Sequence, residues 1–556
     1  TMGFALGSVL AVLASGFTPA QPPNVLIILS DDQGWGDWEI NCDNSTGYCP
    51  HTPHLMDLAT KNGSVYFHRF YAAAGICSPT RSSILTGRTN ERDCMHTALP
   101  CCSEDPAPTC AMGAGGALPT DSFTTGTAAK NSPLGNYATL YVGKWHLGDL
   151  WNKNIPHMHP TWPVSNPGLV GFDKWIATQA EASNSMSNCG CFPVNHTNPG
   201  PKPPSGYPTI TPHGDRCVVG GGVFSDWCYP CTDYYYANQT DLRNVTALAD
   251  IGVKIPGDDS VFIVNTFAAF LDDFAVDQSR PFLAQLALHG IHEPHPAMPE
   301  FYDMYDKDPD YLGALTQMDT QIGRLLQALE ARGLADNTVV FFTSDNGPHQ
   351  GDERTDIAYS TAHSLRQCKG SVFEGGLRVP GIMHWPQGLK GRYRNVTTPV
   401  ASYDLLPTVM DLLRVKSTNN WTIDGTSLLD IATNPDSNAK RERPLIFNWD
   451  QPVANKQFLR QEAVIDNEWK LLKNPQVGQC DQQDGFAFNY TMGSMFLFNL
   501  NDDIHETTDL KHSYPAQYQR LMNILHEFHL SINQSQQHEA KCTDLNWFVD
   551  LDRWMG

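Results

Sequence analysis

Unbroken apolar runs along this chain stop, again and again, at charged residues. In "NVLIILSDDQGWGD" the run from Val25 to Leu29 predicts a strand buried on both faces, and it ends at Asp31, Asp32 and a glycine turn. "NTVVFFTSDNG" repeats the design, with Val339 to Phe342 running into Asp345, Asn346 and Gly347. Before it, Leu315, Met318, Ile322, Leu325, Leu326 and Leu329 recur at helical spacing, and Gly333 suits the end of that helix. "YATLYVGKWHLG" predicts a third strand, in which a period of two aims Lys144 and His146 to one side and Trp145 to the other. "PFLAQLALHGIHEPH" predicts a fourth, ending in His289, His292 and His295. Strands alternating with helices indicate an α/β domain with a mostly parallel sheet. Ligand sites in such sheets lie beyond the carboxyl ends of the strands. All four polar clusters sit at those ends, so they can converge although they are far apart in sequence.

Composition narrows the class. The 556 residues are 41% hydrophobic and 17% charged, as in a globular chain of two to four domains. Lys+Arg 37 against Asp+Glu 59 gives −22, which argues against nucleic acid or an anionic membrane surface as general partners. An anionic substrate would need local cations to hold it. Residues Gly3 to Gly16 form an apolar run of signal-peptide length, with small residues at Ala14–Gly16 and Ala20 as cleavage points; it is too short and glycine-rich for a stable membrane span. Sequons at Asn44, Asn195, Asn238, Asn244, Asn395, Asn420, Asn489 and Asn533 predict a glycoprotein of the secretory route, secreted or lumenal. In an oxidising compartment most of the 15 cysteines should be bridged, and the odd count leaves one over. Cys228 and Cys231 lack a matching second pair, so disulfides are favoured over zinc there.

The four clusters have a coherent chemistry. A single Asp after a strand reads as a turn or a cap, but two Asp-Asp/Asn pairs after two buried strands point to a metal site. Asp31, Asp32, Asp345 and Asn346 offer only oxygen, which suits Ca²⁺, with Mg²⁺ left open. Arg81, Lys144 and Lys369 (in "CKGSVFEGGLRVP") are cations able to hold an anionic group. The three histidines at i, i+3 and i+6 would suit zinc on a helix, but Pro294 and Pro296 argue against a helix there. One of them is better read as a general acid or a substrate contact.

The stretch "CSPTRSSILTGR" around Cys77 resembles the sulfatase signature, Cys-x-Pro-x-Arg with a Leu-Thr-Gly-Arg tail. "GKWHLG" at Gly143–Gly148 resembles the second signature, and "LSDDQGWGD", "TSDNG", "CKGSVFEGGLRVP" and the closing "MFLFNLNDDIHETTDL" match in the family's order. "NCGCFPV" is like a Cys-rich loop of A-type arylsulfatases. The resemblance spans roughly Pro23 to Leu510 and implies an alkaline-phosphatase-like fold and hydrolysis of sulfate monoesters, aryl or carbohydrate. It implies that a formylglycine-generating enzyme oxidises Cys77 to formylglycine, whose hydrated aldehyde attacks sulfur with the help of a divalent cation. That role explains a cysteine kept out of disulfides. Carried over position by position, Asp31, Asp32, Asp345, Asn346 and the modified Cys77 hold the metal. Asp345 also takes the proton of the attacking hydroxyl, and Arg81 stabilises the diol. His146 assists its collapse. Lys144 and Lys369 neutralise sulfate, and His292 contacts sulfate or protonates the leaving oxygen. His289 and His295 match the family's pattern less well and are candidates for shaping the substrate pocket instead. The signature has Thr80 where serine is usual, and Ser183 and Ser185 compete for the family's sulfate-binding serine.

The expected architecture is a signal peptide over residues 1–22, a catalytic domain over 23–441 with a Cys/Gly/Pro-rich insertion at about 188–259, and a small C-terminal α+β subdomain over 442–556 with an antiparallel sheet and a helix. Two other functions compete: a phosphomonoester or phosphonate hydrolase of the same superfamily, and a non-catalytic glycan-binding glycoprotein in which Cys77 stays a thiol. The sequence leaves the oligomeric state open.

Overall fold

The computed structural model describes residues 21–42, 49–98, 117–148, 150, 165–178, 211–213, 216–219, 222–223, 235–237, 245–247, 259–276, 280–292, 295, 297–349, 365–417, 421–434, 436, 438–453, 457–475 and 493–538. At its centre is a ten-stranded sheet. Five neighbouring strands run parallel, in the order Lys174–Thr178, Ala138–Lys144, Phe282–Ala287, Asn24–Ser30 and Thr338–Ser344. Tyr235–Ala237 and Val245–Ala247 extend one side antiparallel. Gly381–His384, Ser64–Phe67 and Arg394–Val396 extend the other, with the first two antiparallel to their inner neighbours. The carboxyl ends of the five parallel strands therefore share one edge. All four strands expected from the sequence lie in this parallel set.

Their continuous apolar runs follow from burial on both faces. Val25, Ile27 and Leu29 point into one core, with Ile84 and Leu85 of helix Cys77–Thr86 and Leu406, Val409 and Leu412 of helix Leu405–Leu413. Leu26 and Ile28 point into the other, against Ile263, Phe267 and Leu271 of helix Ser260–Val276 and Leu315, Met318 and Ile322 of helix Pro309–Glu330. Each such side chain withdrawn from water contributes on the order of 1.5–3 kcal/mol before chain entropy is counted. The second helix closes as its sequence suggests. Gly333 is left-handed (φ +65°), and the Leu334 N–H reaches back to the Leu329 carbonyl at 3.0 Å. The expected strand around Lys144 differs in one respect. It ends at Lys144, so the period of two does not extend to His146, whose backbone is left-handed at φ 56° while Trp145 drops into the core.

A separate four-stranded antiparallel sheet runs Leu445–Val453, Gln457–Asp466, Trp469–Lys473, Met495–Asn499. Helix Pro515–His538 covers one face through Leu521, Leu525, Phe528 and Ile532. The other face packs Phe447, Leu472 and Phe498 against Tyr71, Phe373 and Tyr403 of the larger unit. No helix among the described residues is long and apolar enough to cross a membrane. Cys42 is bridged to Cys49, and Cys94 and Cys368 are also disulfide-bonded. Among the described residues Cys77 is the free cysteine. Residues 1–20, most of the 188–259 insertion with Cys228 and Cys231, and both Ser183 and Ser185 lie outside the described residues.

Candidate active site

Each polar cluster reaches the shared sheet edge from its own strand. Strand Asn24–Ser30 delivers Asp31 and Asp32, and its neighbour Thr338–Ser344 delivers Asp345 and Asn346. The two turns are laced together, since the Asp32 N–H donates to Asp345 Oδ1 at 3.1 Å and the Gln33 N–H to Ser344 Oγ at 2.9 Å. Asp32 itself is left-handed (φ 60°), a conformation seldom adopted by residues with a side chain and one that clusters at functional sites. Strand Ala138–Lys144 delivers Lys144, whose carbonyl accepts from the Tyr141 hydroxyl at 2.6 Å.

Cys77 opens helix Cys77–Thr86 with the first turn of backbone N–H groups around it. The Thr80 hydroxyl accepts from the Ala74 N–H and donates to the Ala74 carbonyl, both at 3.0 Å, fixing the loop that enters the helix. Both of those bonds need only a hydroxyl, which threonine and serine share. One turn on, Arg81 donates through Nε to Asp345 Oδ2 at 2.9 Å and through Nη1 to the Lys144 carbonyl at 3.0 Å, and its Nη2 lies 3.3 Å from Asp31 Oδ2. Lys144 Nζ lies 2.7 Å from Asp31 Oδ2 and 3.8 Å from the Cys77 sulfur. The Cys77 sulfur is 3.9 Å from Asp31 Oδ1. Lys369 Nζ donates to Asp32 Oδ2 at 2.7 Å, with His292 Nε2 at 3.7 Å from the same oxygen.

Three carboxylates thus face three permanent cations in a site almost closed to water. Burial alone would raise the Asp31 carboxyl, but Lys144 and Arg81 hold it well below the usual carboxylate range. Asp32, equally buried, is brought down to about 2 by Lys369 and His292. Asp345 goes the other way, up to about 6, through burial and the Asp31 charge. Burial pushes the Cys77 thiol up to about 12 despite Lys144 and Lys369, so the unmodified side chain is a poor nucleophile.

The donor set accommodates a hard divalent cation. Ligand atoms of Asp31, Asp32, Cys77 and Asp345 all lie within 4.8 Å of one another. Asn346 Nδ2 donates to Asp32 Oδ1 at 2.7 Å and to the Gly347 carbonyl at 2.8 Å. Its Oδ1 is buried and accepts no hydrogen bond among the described residues, an orphaned acceptor of the kind a cation satisfies.

The structure thus brings Asp31, Asp32, Cys77, Arg81, Lys144, Asp345, Asn346, Lys369 and His292 together. His146 is buried immediately beyond Lys144. His289 pairs with Asp259, and His295 packs edge-on against Tyr311, their ring centres 5.0 Å apart. Sequence reasoning missed Tyr141 as the prop of Lys144, and it missed Asp259, the partner of His289. A tyrosine three residues before the lysine is a faint signal; Asp259 has none, because it lies 30 residues before its histidine in sequence.

A parallel-sheet hydrolase with buried cations beside a cluster of carboxylates that could hold a metal ion is the class these features define. Residues 23–415 match the sequence profile of the family described as Sulfatase, and the chain belongs to that family. It is similar to arylsulfatase A of Bos taurus, 29% identical over 434 residues that cover 76% of this chain and 70% of that protein. It is also similar to arylsulfatase G of Rattus norvegicus, 26% identical over 523 residues that cover 91% and 86% of the two chains. Among solved structures, Ps i-CgsB in complex with k-i-k-neocarrahexaose superposes with a TM-score of 0.65 at 24% identity, covering 91% of this chain and 93% of that one, a likeness of fold. The protein is a sulfuric ester hydrolase.

Proposed function

We propose that the protein hydrolyses aryl or carbohydrate sulfate monoesters with formylglycine made from Cys77 and a divalent cation held by Asp31, Asp32, Asp345 and Asn346. The observation that carries this reading is Cys77 itself. Among the described residues it is the free thiol, buried at a helix N-terminus, and within 4 Å of both Lys144 and Asp31. When present, the cation and the hydrated aldehyde supply a charge-stabilised oxygen nucleophile that a thiol there does not. The chain's own residues do the rest. Lys144 and Lys369 hold the sulfate oxygens in a pocket shielded from water, where ionic contacts are stronger than in solution. Arg81 fixes Asp31 and Asp345 relative to the helix that carries residue 77. Asp345, which Arg81 ties to the helix that carries residue 77, is the carboxylate that accepts a proton from the nucleophile. His292 stands over Asp32 as the donor of a proton to the leaving oxygen, and His146 takes a proton when sulfate is released.

The same reading places maturation in the secretory route, with a formylglycine-generating enzyme as partner, residues 1–22 removed as a signal peptide, and the catalytic unit divided from the C-terminal one near 441/442. Two of its glycosylation sites fall among described residues: Asn395 is exposed on an edge strand, and Asn533 is half-buried on helix Pro515–His538.

The test is the mass of the tryptic peptide Phe70–Arg81 from protein made in a eukaryotic secretory host. An aldehyde in place of CH₂SH at residue 77, with turnover of aryl sulfate well above aryl phosphate, is the expected result. An unmodified cysteine in an active preparation would sink the mechanism, and a preference for the phosphate ester would favour the related phosphohydrolase chemistry.

A further inference from the structure

The turn that carries His292 is held from two sides. On one side it is stitched to Asp31, whose N–H donates to the Gly290 carbonyl at 3.0 Å and whose carbonyl accepts from the Ile291 N–H at 2.9 Å. The His292 N–H closes the turn on the His289 carbonyl at 2.8 Å. On the other side, the His289 ring spans two elements: Nδ1 lies 2.5 Å from Asp259 Oδ2 and Nε2 lies 2.8 Å from Thr178 Oγ1. Asp259 begins helix Ser260–Val276, its carbonyl accepting from the Ile263 N–H at 2.9 Å. Thr178 ends its strand, and its carbonyl accepts from the Trp145 N–H at 3.0 Å, between Lys144 and His146.

All three side chains are completely buried. A buried carboxylate beside an imidazole is weak evidence for stability, since apolar packing of similar volume does as well. What such a chain supplies is direction. Asp259 beside Nδ1 and the Thr178 hydroxyl beside Nε2 hold the ring at both of its nitrogens, so it has a single orientation.

We infer that Asp259, His289 and Thr178 form a buried brace that positions His292 over the leaving oxygen. The inference rests on the reading of His292 as proton donor. None of the three touches substrate; they act through the turn. A misplacement of about 1 Å in such a donor is enough for losses of roughly a hundredfold.

Thr178→Val and Asp259→Asn, which preserve side-chain volume, are compared with His292→Ala on two esters. One is an alkyl sulfate, whose leaving oxygen needs a proton; the other is a nitrophenyl sulfate, whose leaving oxygen does not. The expected result is a fall in kcat of about tenfold or more on the alkyl ester, less than about threefold on the nitrophenyl ester, and no further loss when either variant is combined with His292→Ala. Amide exchange in the peptide spanning Gly290–His292 should also quicken in both variants. Equal losses on the two esters, losses that add to His292→Ala, or unchanged kinetics and exchange would each overturn the brace. If His292→Ala shows no discrimination between the esters, the proton-donor reading fails instead. Exchange then decides alone whether the brace holds the turn, faster exchange supporting it and unchanged exchange removing it. Should one variant fail to fold, the other carries the test.

Discussion

Arg81 does more holding than any other side chain in the site. One guanidinium reaches Asp345, Asp31 and the Lys144 carbonyl, and it is 1% exposed. Replacing it with leucine would leave two buried carboxylates short of their partner. Arg81→Leu should therefore lower stability by about 3–5 kcal/mol in chemical denaturation, as well as abolish turnover. Cys77→Ala should behave differently, losing turnover by at least roughly a thousandfold while the melting temperature stays near that of the parent. At this scale the sequence was highly legible. Charged residues at the ends of apolar runs announce themselves because burying a charge needs a compensating reason. The fate of His289 was not legible, because its partners Thr178 and Asp259 come from two other elements and neither stands in a recognisable motif.

The elements succeed by bringing backbones unusually close where the site is built. Gly143 is the clearest case: its φ is +108°, and a Cβ there would stand 1.8 Å from the Ala287 carbonyl oxygen of the next strand. Gly143→Ala should cost about 3 kcal/mol or more in thermal denaturation and displace Lys144 with it. Gly347 plays the same part on the other side, a Cβ falling 2.0 Å from the Gly375 carbonyl. The central parallel strands were readable because two-sided burial leaves unbroken apolar runs. The C-terminal strands were harder to place, since "LIFNWDQPV" and "QFLRQEAVID" carry polar residues throughout. Those residues serve partly buried ion pairs, such as Asp450 with Arg460, that no periodicity displays.

At the scale of the whole molecule, the two units are joined by a buried ionic knot. Lys470 Nζ of the antiparallel sheet lies 2.9 Å from both Glu374 Oε1 and Glu506 Oε1, while Glu506 Oε2 accepts from the Glu374 N–H at 2.6 Å. Arg378 and the Tyr71 hydroxyl reach the remaining oxygen of Glu374. Burial raises Glu506 to about 7 from an ordinary 4.5, with the Glu374 charge adding to it and Lys470 opposing. Glu374 is lowered instead, because Lys470 and Arg378 outweigh its burial. The folded chain thus keeps a proton on Glu506 that the unfolded chain has released. The stability contributed by Glu506 should be full below about pH 4.5 and fall as pH rises toward 7, while the lowered Glu374 acts in the opposite sense below about 4.5. Glu506→Gln should flatten that slope in melting curves taken across this range, and an unchanged slope would place the pH dependence elsewhere. Metal removal is the complementary test: chelation should abolish activity, and restoration by Ca²⁺ or by Mg²⁺ identifies the working ion.

Cys77 is 2% exposed, at the start of its helix with Asp31 and Lys144 beside its sulfur. No enzyme could reach that side chain in the finished fold, so the conversion proposed above would have to come while the chain is still open. Synthesis then becomes a race with two finishing orders. On that proposal, a copy that folds before it is oxidised would be well formed, stable and permanently inert, and no later exposure to a modifying enzyme could rescue it. The specific activity of a preparation would therefore record the history of its making, and two batches with identical melting curves could differ widely in how many of their molecules work.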